Sequence, residues 1–406
     1  MAGVLFLAHR VPFPPDRGDR IRSHNLLKAL ARLGPVHVGC FGEGDAAADR
    51  ALCHLAASTC IAPRTKPLAL AGVEAVLSGK PVSLTAFHSR TLAAWVRETI
   101  ATQAIDAIVV FSGQMGQYVP ADFKGRVIID LCDVDSAKFE SYAKAGERIW
   151  LNAREARLLA AEEERLGRRA DATILISKAE AALYRSRLQT PDAVAVQVIG
   201  NGIDAAFFDP AVTAPHPDLA AARGPHFVFT GQMDYRPNEQ AALWVIEALL
   251  PVLRARIPQA MFHVVGRNPT AKLAAYDGAP GVRVWGSVPD VRPFIAGADS
   301  VFAPLLIARG VQNKVLEAMA MARPVVLTPE AATGIAATDG THWLVSPPDP
   351  AMMAARIAEL VSTPDVAGAI GTNARRFVRD HHAWEAMMAP LAGLIAAPRQ
   401  GRRHAA

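Results

Sequence analysis

The chain has 406 residues, 51% of them hydrophobic and 20% charged, and a formal net charge of +5. That length exceeds one core of ordinary size and implies two domains, and the composition is globular rather than disordered. Basic residues are scattered without interleaved aromatics, which argues against a nucleic-acid partner, while weak attraction to anionic lipid or phosphate fits the charge.

Short apolar runs alternate with helical patterns from the first residues onward. GVLFLA reads as a strand, because its apolar run is short and lacks the basic flank of a signal peptide. RIRSHNLLKALARLG has apolar positions at helical spacing and stops at Gly34. Further strands are predicted at VHVGCF, AIVVF, RVIIDL and ATILI, with a long charged helix around NAREARLLAAEEERLGRRA and a capping box of Ser177 and Glu180. This alternation implies a doubly wound parallel sheet. Cys40, Cys53, Cys60 and Cys132 form no CxxC pair and read as small buried hydrophobes in a reducing compartment. No run approaches the roughly 18 apolar residues of a membrane span. The chain therefore reads as cytoplasmic, with at most peripheral contact on the inner face of a membrane.

Residues 199–225 are rich in Gly, Pro, Asn and Asp, as a linker is. A second series follows: HFVFTG, the helical ALWVIEALLPVLRARI, MFHVVG, VRVWG, SVFAPL and PVVLT. The expectation is one Rossmann-like domain over residues 1–200 and a second over 201–379, with an apolar C-terminal helix, 380–397, packing back on the first. In open α/β sheets ligands sit beyond the strand carboxyl ends, so the chemistry belongs in strand-to-helix loops facing a common cleft.

Three loops stand out. After the first strand, Gly18 lies among charged residues and opens a helix carrying Asp19, Arg20 and Arg22, which is either an anion-facing turn or an ordinary one with solvated charges. The triplet Asp133–Val134–Asp135 offers carboxylates two apart, as divalent-cation sites do. A lysine beside phosphate needs no metal, so Asp133 is read as a polar cleft residue and no metal is expected. The third loop is GVQNKVLEAMAMARPVV, where Lys314 and Glu317 lie one helical turn apart. N–H groups from Val311 to Lys314 would be unpaired helix donors, and the helix dipole adds to the lysine's charge. Donors and a cation suit a diphosphate, and a carboxylate suits a ribose, which together make a nucleotide-sugar site. The competing reading is a solvated Lys–Glu pair, which leaves the neighbouring glycine and Asn313 unexplained. Neither domain's first strand is followed by GxGxxG, and no GxSxG or Walker A sequence occurs. One further stretch, KPLALAGVEAVLSGKPVSL, is apolar between Lys66 and Lys80, and reads either as a membrane-facing element or as a core helix.

GVQNKVLEAMAMARPVV resembles the signature of GT-B glycosyltransferases of family 4, a glutamate followed eight positions on by a second one in an LEAMA-x-G-x-PVV run. The likeness extends through VIGNGIDAAFFDP, VVGRNP, VRVWGSVPDVRPFIAGADSVFAPL and ISKAEAALYR. PFPPDRGDRIRSHNLL, DLCDVDS and FTGQMDYRPN are similar to a bacterial subfamily associated with exopolysaccharide clusters and the exosortase/PEP-CTERM system. The resemblance implies two Rossmann-like domains facing a cleft, with acceptor on the first and a nucleoside-diphosphate sugar on the second. Glu317 matches the ribose ligand. Gly310, Val311, Gln312, Asn313 and Lys314 match the phosphate-contacting loop. Gly286 and Val288 match the strand end along the base, and Gly18 matches the glycine loop facing donor phosphate and acceptor. The family's Arg/Lys pair reduces to Arg236. Arg309 replaces the first glutamate, and Cys132 replaces a cleft histidine before Asp133. Asp133, Lys314 and Arg309 are thus the catalytic candidates. The implied activity is transfer of a sugar to a lipid-linked or glycan acceptor, with no cofactor beyond the nucleotide-sugar co-substrate. A non-catalytic nucleotide-sugar-binding protein and a nucleotide-sugar epimerase of the same architecture are the alternatives.

Overall fold

The computed structural model describes residues 3–15, 18–42, 44–144, 146–308 and 311–397. The chain divides into two compact units, one of Met1–Asn201 with Met387–Ala406, the other of Gly202–Ala386.

The first unit holds seven parallel strands: β1 (Gly3–Ala8), β2 (Val36–Gly42), β3 (Ser58–Pro63), β4 (Ile105–Phe111), β5 (Arg126–Cys132), β6 (Ala172–Leu175) and β7 (Val196–Val198). Their order is β3-β2-β1-β4-β5-β6-β7. Central strands covered by helices on both faces must be apolar throughout, and β1 and β2 are buried at every position. Arg22, on the helix Gly18–Ala31, is only 2% exposed. Its guanidinium donates to Asp130 Oδ2 (2.9 Å from Nε), Ile199 O (2.8 Å), Gly200 O (3.2 Å) and Asn201 Oδ1 (2.9 Å). Arg22 is therefore neither ligand-facing nor solvated, the two readings of its loop, but a satisfied strut joining the first helix, the end of β5 and the chain's exit from this unit. The C-terminal apolar stretch is broken before Pro390 into Trp384–Met388 and Pro390–Ala396, since the residue preceding a proline disfavours helix. Arg126 of β5 donates to Leu394 O at 2.8 Å from Nη2.

The second unit holds six parallel strands: β8 (His226–Thr230), β9 (Met261–Val265), β10 (Val282–Gly286), β11 (Ser300–Ala303), β12 (Val325–Leu327) and β13 (Leu344–Val345). Their order is β10-β9-β8-β11-β12-β13, so the strand order reverses between β8 and β11. The predicted helix ALWVIEALLPVLRARI is continuous but carries a π turn at Val245–Leu249. Pro251 has no N–H and its ring crowds the carbonyl one turn back, so the ladder widens there. No helix among the described residues is long and apolar enough to cross a membrane.

Candidate functional site

The site assembles at the point of strand-order reversal in the second unit. β8 ends at Thr230 and is followed by Gly231, and β11 leads through a loop into the helix Asn313–Ala320, which carries Lys314 and Glu317. Lys314 Nζ donates to Asn238 Oδ1 at 2.5 Å and lies 4.3 Å above the Phe229 ring. Asn238 belongs to the helix Arg236–Trp244 and is held in turn by Nδ2 donating to Gln232 O at 2.9 Å. Three separate segments thus fix one ammonium group. It has three donors, and one is committed to Asn238.

The space beside that group is kept open by glycines. A Cβ on Gly231 would stand 3.1 Å from Lys314 Nζ and 2.8 Å from Asn238 Nδ2. Gly266 follows β9 and a Cβ there would strike Gly231 O, while Gly286 closes β10 with φ +68, a left-handed conformation suited to glycine. Three adjacent strands therefore end in residues without side chains.

Burial dominates the electrostatics of the helix. Lys314 and Glu317 are not bonded to each other, so the surface-pair reading fails. Desolvation drives the Lys314 ammonium down to about 7 against the attraction of Glu317. Desolvation likewise drives the Glu317 carboxyl up to about 6, against the attraction of Lys314. Opposite charges one turn apart are each pushed toward neutrality by burial, and neither has a close ionic partner among the described residues. A ligand with negative charge near Nζ and a hydroxyl near the carboxylate would relieve both.

The helix begins at Asn313 after Gln312, which gives no side-chain cap bond, while Val315 and Leu316 N–H already donate to Gln312 O. The Asn313 and Lys314 N–H groups precede the first helical bond, and Asn313 and Val311 are exposed. Gly286 ends β10 and Val288 lies two residues past it, packed on the core. Arg236 is exposed at the first turn of its helix; the side chain from that turn that reaches Lys314 is Asn238. Arg309 and Gly310 lie outside the described residues. Next to Gly286, Trp285 Nε1 donates to His263 Nδ1 (3.2 Å), so His263 carries its proton on Nε2 and donates to His226 Nδ1 (2.9 Å). Burial, with the His226 charge second, holds His263 down at about 4.

In the first unit Gly18 is exposed, with open space where a Cβ would go. Asp133 is exposed past β5, and burial first, then Glu180 and Asp135, raise its carboxyl above the ordinary range. Glu180 completes only half of the expected capping box. Ser177 accepts from Glu180 N, but the Glu180 carboxylate accepts from Val134 N at 3.0 Å. Cys132 takes φ +64 and its thiol is raised by burial well above the usual value. It cannot act as the imidazole it replaces.

Residues 224–363 match the family described as "Glycosyl transferases group 1". Over the whole chain the structure is similar to the Thermosynechococcus elongatus sucrose-phosphate synthase, at 18% identity and TM-score 0.58, covering 97% of this chain and 98% of that one. It is similar to Anabaena HepE in complex with UDP-glucose, at 16% identity and TM-score 0.59, covering 98% and 100%. It is also similar to WaaG, a glycosyltransferase involved in lipopolysaccharide biosynthesis, at 19% identity and TM-score 0.58, covering 97% and 100%. No curated protein matches the sequence. The fold is GT-B, two parallel-sheet Rossmann-like units. The residues that match the glycosyl transferases group 1 family lie within its second unit.

Proposed function

We propose that the protein is a family-4-type glycosyltransferase that moves a sugar from a nucleoside-diphosphate donor to a lipid-linked or glycan acceptor. The observation that carries this reading is the Lys314 ammonium, held by Asn238 over Phe229 at a glycine-lined strand end, without a close ionic partner among the described residues. A diphosphate supplies the missing charge there, and the charged lysine stabilises the negative charge that grows as the diphosphate leaves. Glu317 accepts hydrogen bonds from the ribose hydroxyls, Gly286 and Val288 flank the base, and N–H groups of Val311 to Lys314 meet the phosphates. HepE with UDP-glucose and WaaG in lipopolysaccharide biosynthesis support a nucleotide-sugar donor. Asp133 of the first unit is kept as a catalytic candidate, and Arg309 is the charge nearest in sequence to the phosphate loop. No resident cofactor takes part. The acceptor belongs to exopolysaccharide assembly of the PEP-CTERM-associated kind, reached by peripheral contact with a membrane.

The test is a thermal-shift screen of nucleotide sugars followed by assay of nucleoside diphosphate release with acceptor. A donor at 100 times its Kd stabilises by about 2.7 kcal/mol. No shift with any nucleotide sugar would remove the donor site, and binding without release in the presence of polyprenyl-linked or glycan acceptors would leave a non-catalytic binder.

A further inference from the structure

The helix Leu68–Ser78 inverts the pattern of a surface helix. Such a helix turns its large apolar side chains inward. Here the inward residues are Ala71 and Ala75, while Leu68, Leu70, Val73, Val76 and Leu77 are 70%, 56%, 58%, 59% and 83% exposed. Leu70, Val73 and Leu77 follow at helical spacing and form one stripe, with Val76 beside it. Glu74, the one acid of this helix, is tied to Lys66 at 2.7 Å.

Polar contacts hold the helix in place of large buried side chains. Thr85 Oγ1 donates to Ala71 O at 2.8 Å, and Arg154 Nη2 donates to Ala75 O and Lys80 O at 2.8 and 3.1 Å. One turn before Arg154, on the helix Ile149–Arg169, Trp150 and Ile149 are 70% and 61% exposed. They extend the apolar surface past the end of the first helix. Beside it Lys66, Lys80 and Arg90 gather around His88, whose imidazole is lowered by burial and then by their charge. Of the other acids nearby, Glu155 is consumed by Val82 N, Ser83 N and Ser83 Oγ at 2.8, 2.9 and 2.7 Å.

We propose that this face docks on an anionic lipid bilayer, with Leu70, Val73, Leu77 and Trp150 in the headgroup layer and Lys80 and Arg90 against lipid phosphates. Exposed Leu and Val with an exposed Trp and a basic margin are the composition of an interfacial helix. A second copy of the chain suits the face poorly, because a two-fold contact sets Lys80 and Arg90 against themselves. The inference takes from the proposed function only that a membrane lies nearby, and it is read without donor or turnover.

Sedimentation of the full chain with phosphatidylcholine vesicles, with and without phosphatidylglycerol, tests it. The protein should pellet with the anionic vesicles, and Trp150 emission should shift to the blue, a shift missing in Trp150→Phe. Leu70→Ser/Val73→Ser/Leu77→Ser should weaken partitioning on the order of tenfold or more, a modest share of three lost apolar contacts. Lys80→Glu/Arg90→Glu should weaken it on anionic vesicles and leave neutral ones unaffected. All six positions lie on exposed helix faces or loops, and an unchanged far-UV spectrum and Tm would show that the variants fold. Protein that stays in the supernatant with anionic vesicles, or a triple variant that pellets as the parent does, overturns the proposal. So does a concentration-dependent dimer dissolved by the same substitutions.

Discussion

Lys314 Nζ and Asn238 Oδ1 stand 2.5 Å apart, although one lies on the helix after β11 and the other on the helix after β8. A neutral amide holds the ammonium in place without cancelling its charge. Replacing Asn238 by Asp would put a carboxylate in that position, keep the lysine charged and compete with a diphosphate. We expect Asn238→Asp to weaken donor binding by roughly tenfold, the scale of one hydrogen bond to a charged group, and to move the alkaline limb of donor binding to higher pH. Binding isotherms across pH check both. An unmoved limb would mean that Asn238 does not set the lysine's charge.

Lys314→Ala and Glu317→Ala should fail in different ways. The lysine faces charge that grows in the transition state, so its loss lowers kcat more than it weakens donor binding. The ribose does not change during transfer, so loss of Glu317 mainly raises the donor KM. Each effect should be roughly 10- to 150-fold, from about 1.5–3 kcal/mol per charged hydrogen bond. Steady-state kinetics of the two single variants decides it, and unchanged constants in both would place the donor elsewhere.

Donor affinity should peak in a narrow pH window. Lys314 titrates at about 7 in the free protein and must be charged to hold a diphosphate, so above that value binding takes up a proton and affinity falls by up to about tenfold per pH unit. Glu317 at about 6 must be ionised to accept from hydroxyls, so affinity also falls below that value. Calorimetry in buffers of different ionisation enthalpy should show net proton uptake near pH 8.

The same lysine should weaken the empty protein. Its folded value lies below its unfolded one, so the burden of charge is full below about pH 7 and is relieved as pH rises toward the unfolded value. Lys314→Met should raise the Tm of the ligand-free protein at pH 6, by up to about 1–4 kcal/mol of stability on the scale of buried charges replaced by apolar groups. It should weaken donor binding as well. A lower Tm would show that the Asn238 and Phe229 contacts outweigh desolvation.

His263 acts with the same sign at lower pH. Held at about 4 by burial, it contributes stability that is fully present above its unfolded value of 6.5 and is lost as pH falls toward 4. Protonating Nδ1 would eject the Trp285 N–H. Denaturation midpoints from pH 7 to 4 should fall less steeply in His263→Leu than in the parent, with the change carried by Trp285 fluorescence.

The strands of both sheets that lie centrally were legible because burial on two faces forces unbroken apolar runs, as in β1, β5, β8 and β9. β3, β7 and β13 were not. They sit at or beside sheet edges, are short or half-exposed, and carry residues such as Ser58, Thr59 and Gln197 that mark no period. Lys314 and Glu317 could be placed on one helix from their spacing alone, since they belong to a single element. Asn238 and Phe229 could not, because only the strand order brings β8 and its helix beside β11. Arg22 was misread for a related reason. Its carboxylate, Asp130, and the carbonyls of Ile199 and Gly200 are distant in sequence, so nothing local shows that the charge is spent.

The glycines that end β8, β9 and β10 carry a further consequence. Where three neighbouring strands present only peptide groups, what they hold is read by amides and carbonyls, which are chemically identical in every protein. Selectivity along that edge then resides in backbone path, and a Cβ at Gly266 would run into Gly231 O before it could alter what is recognised. A search for variants with changed ligand preference would gain little from substituting these positions. It should instead change the lengths of the loops that leave them.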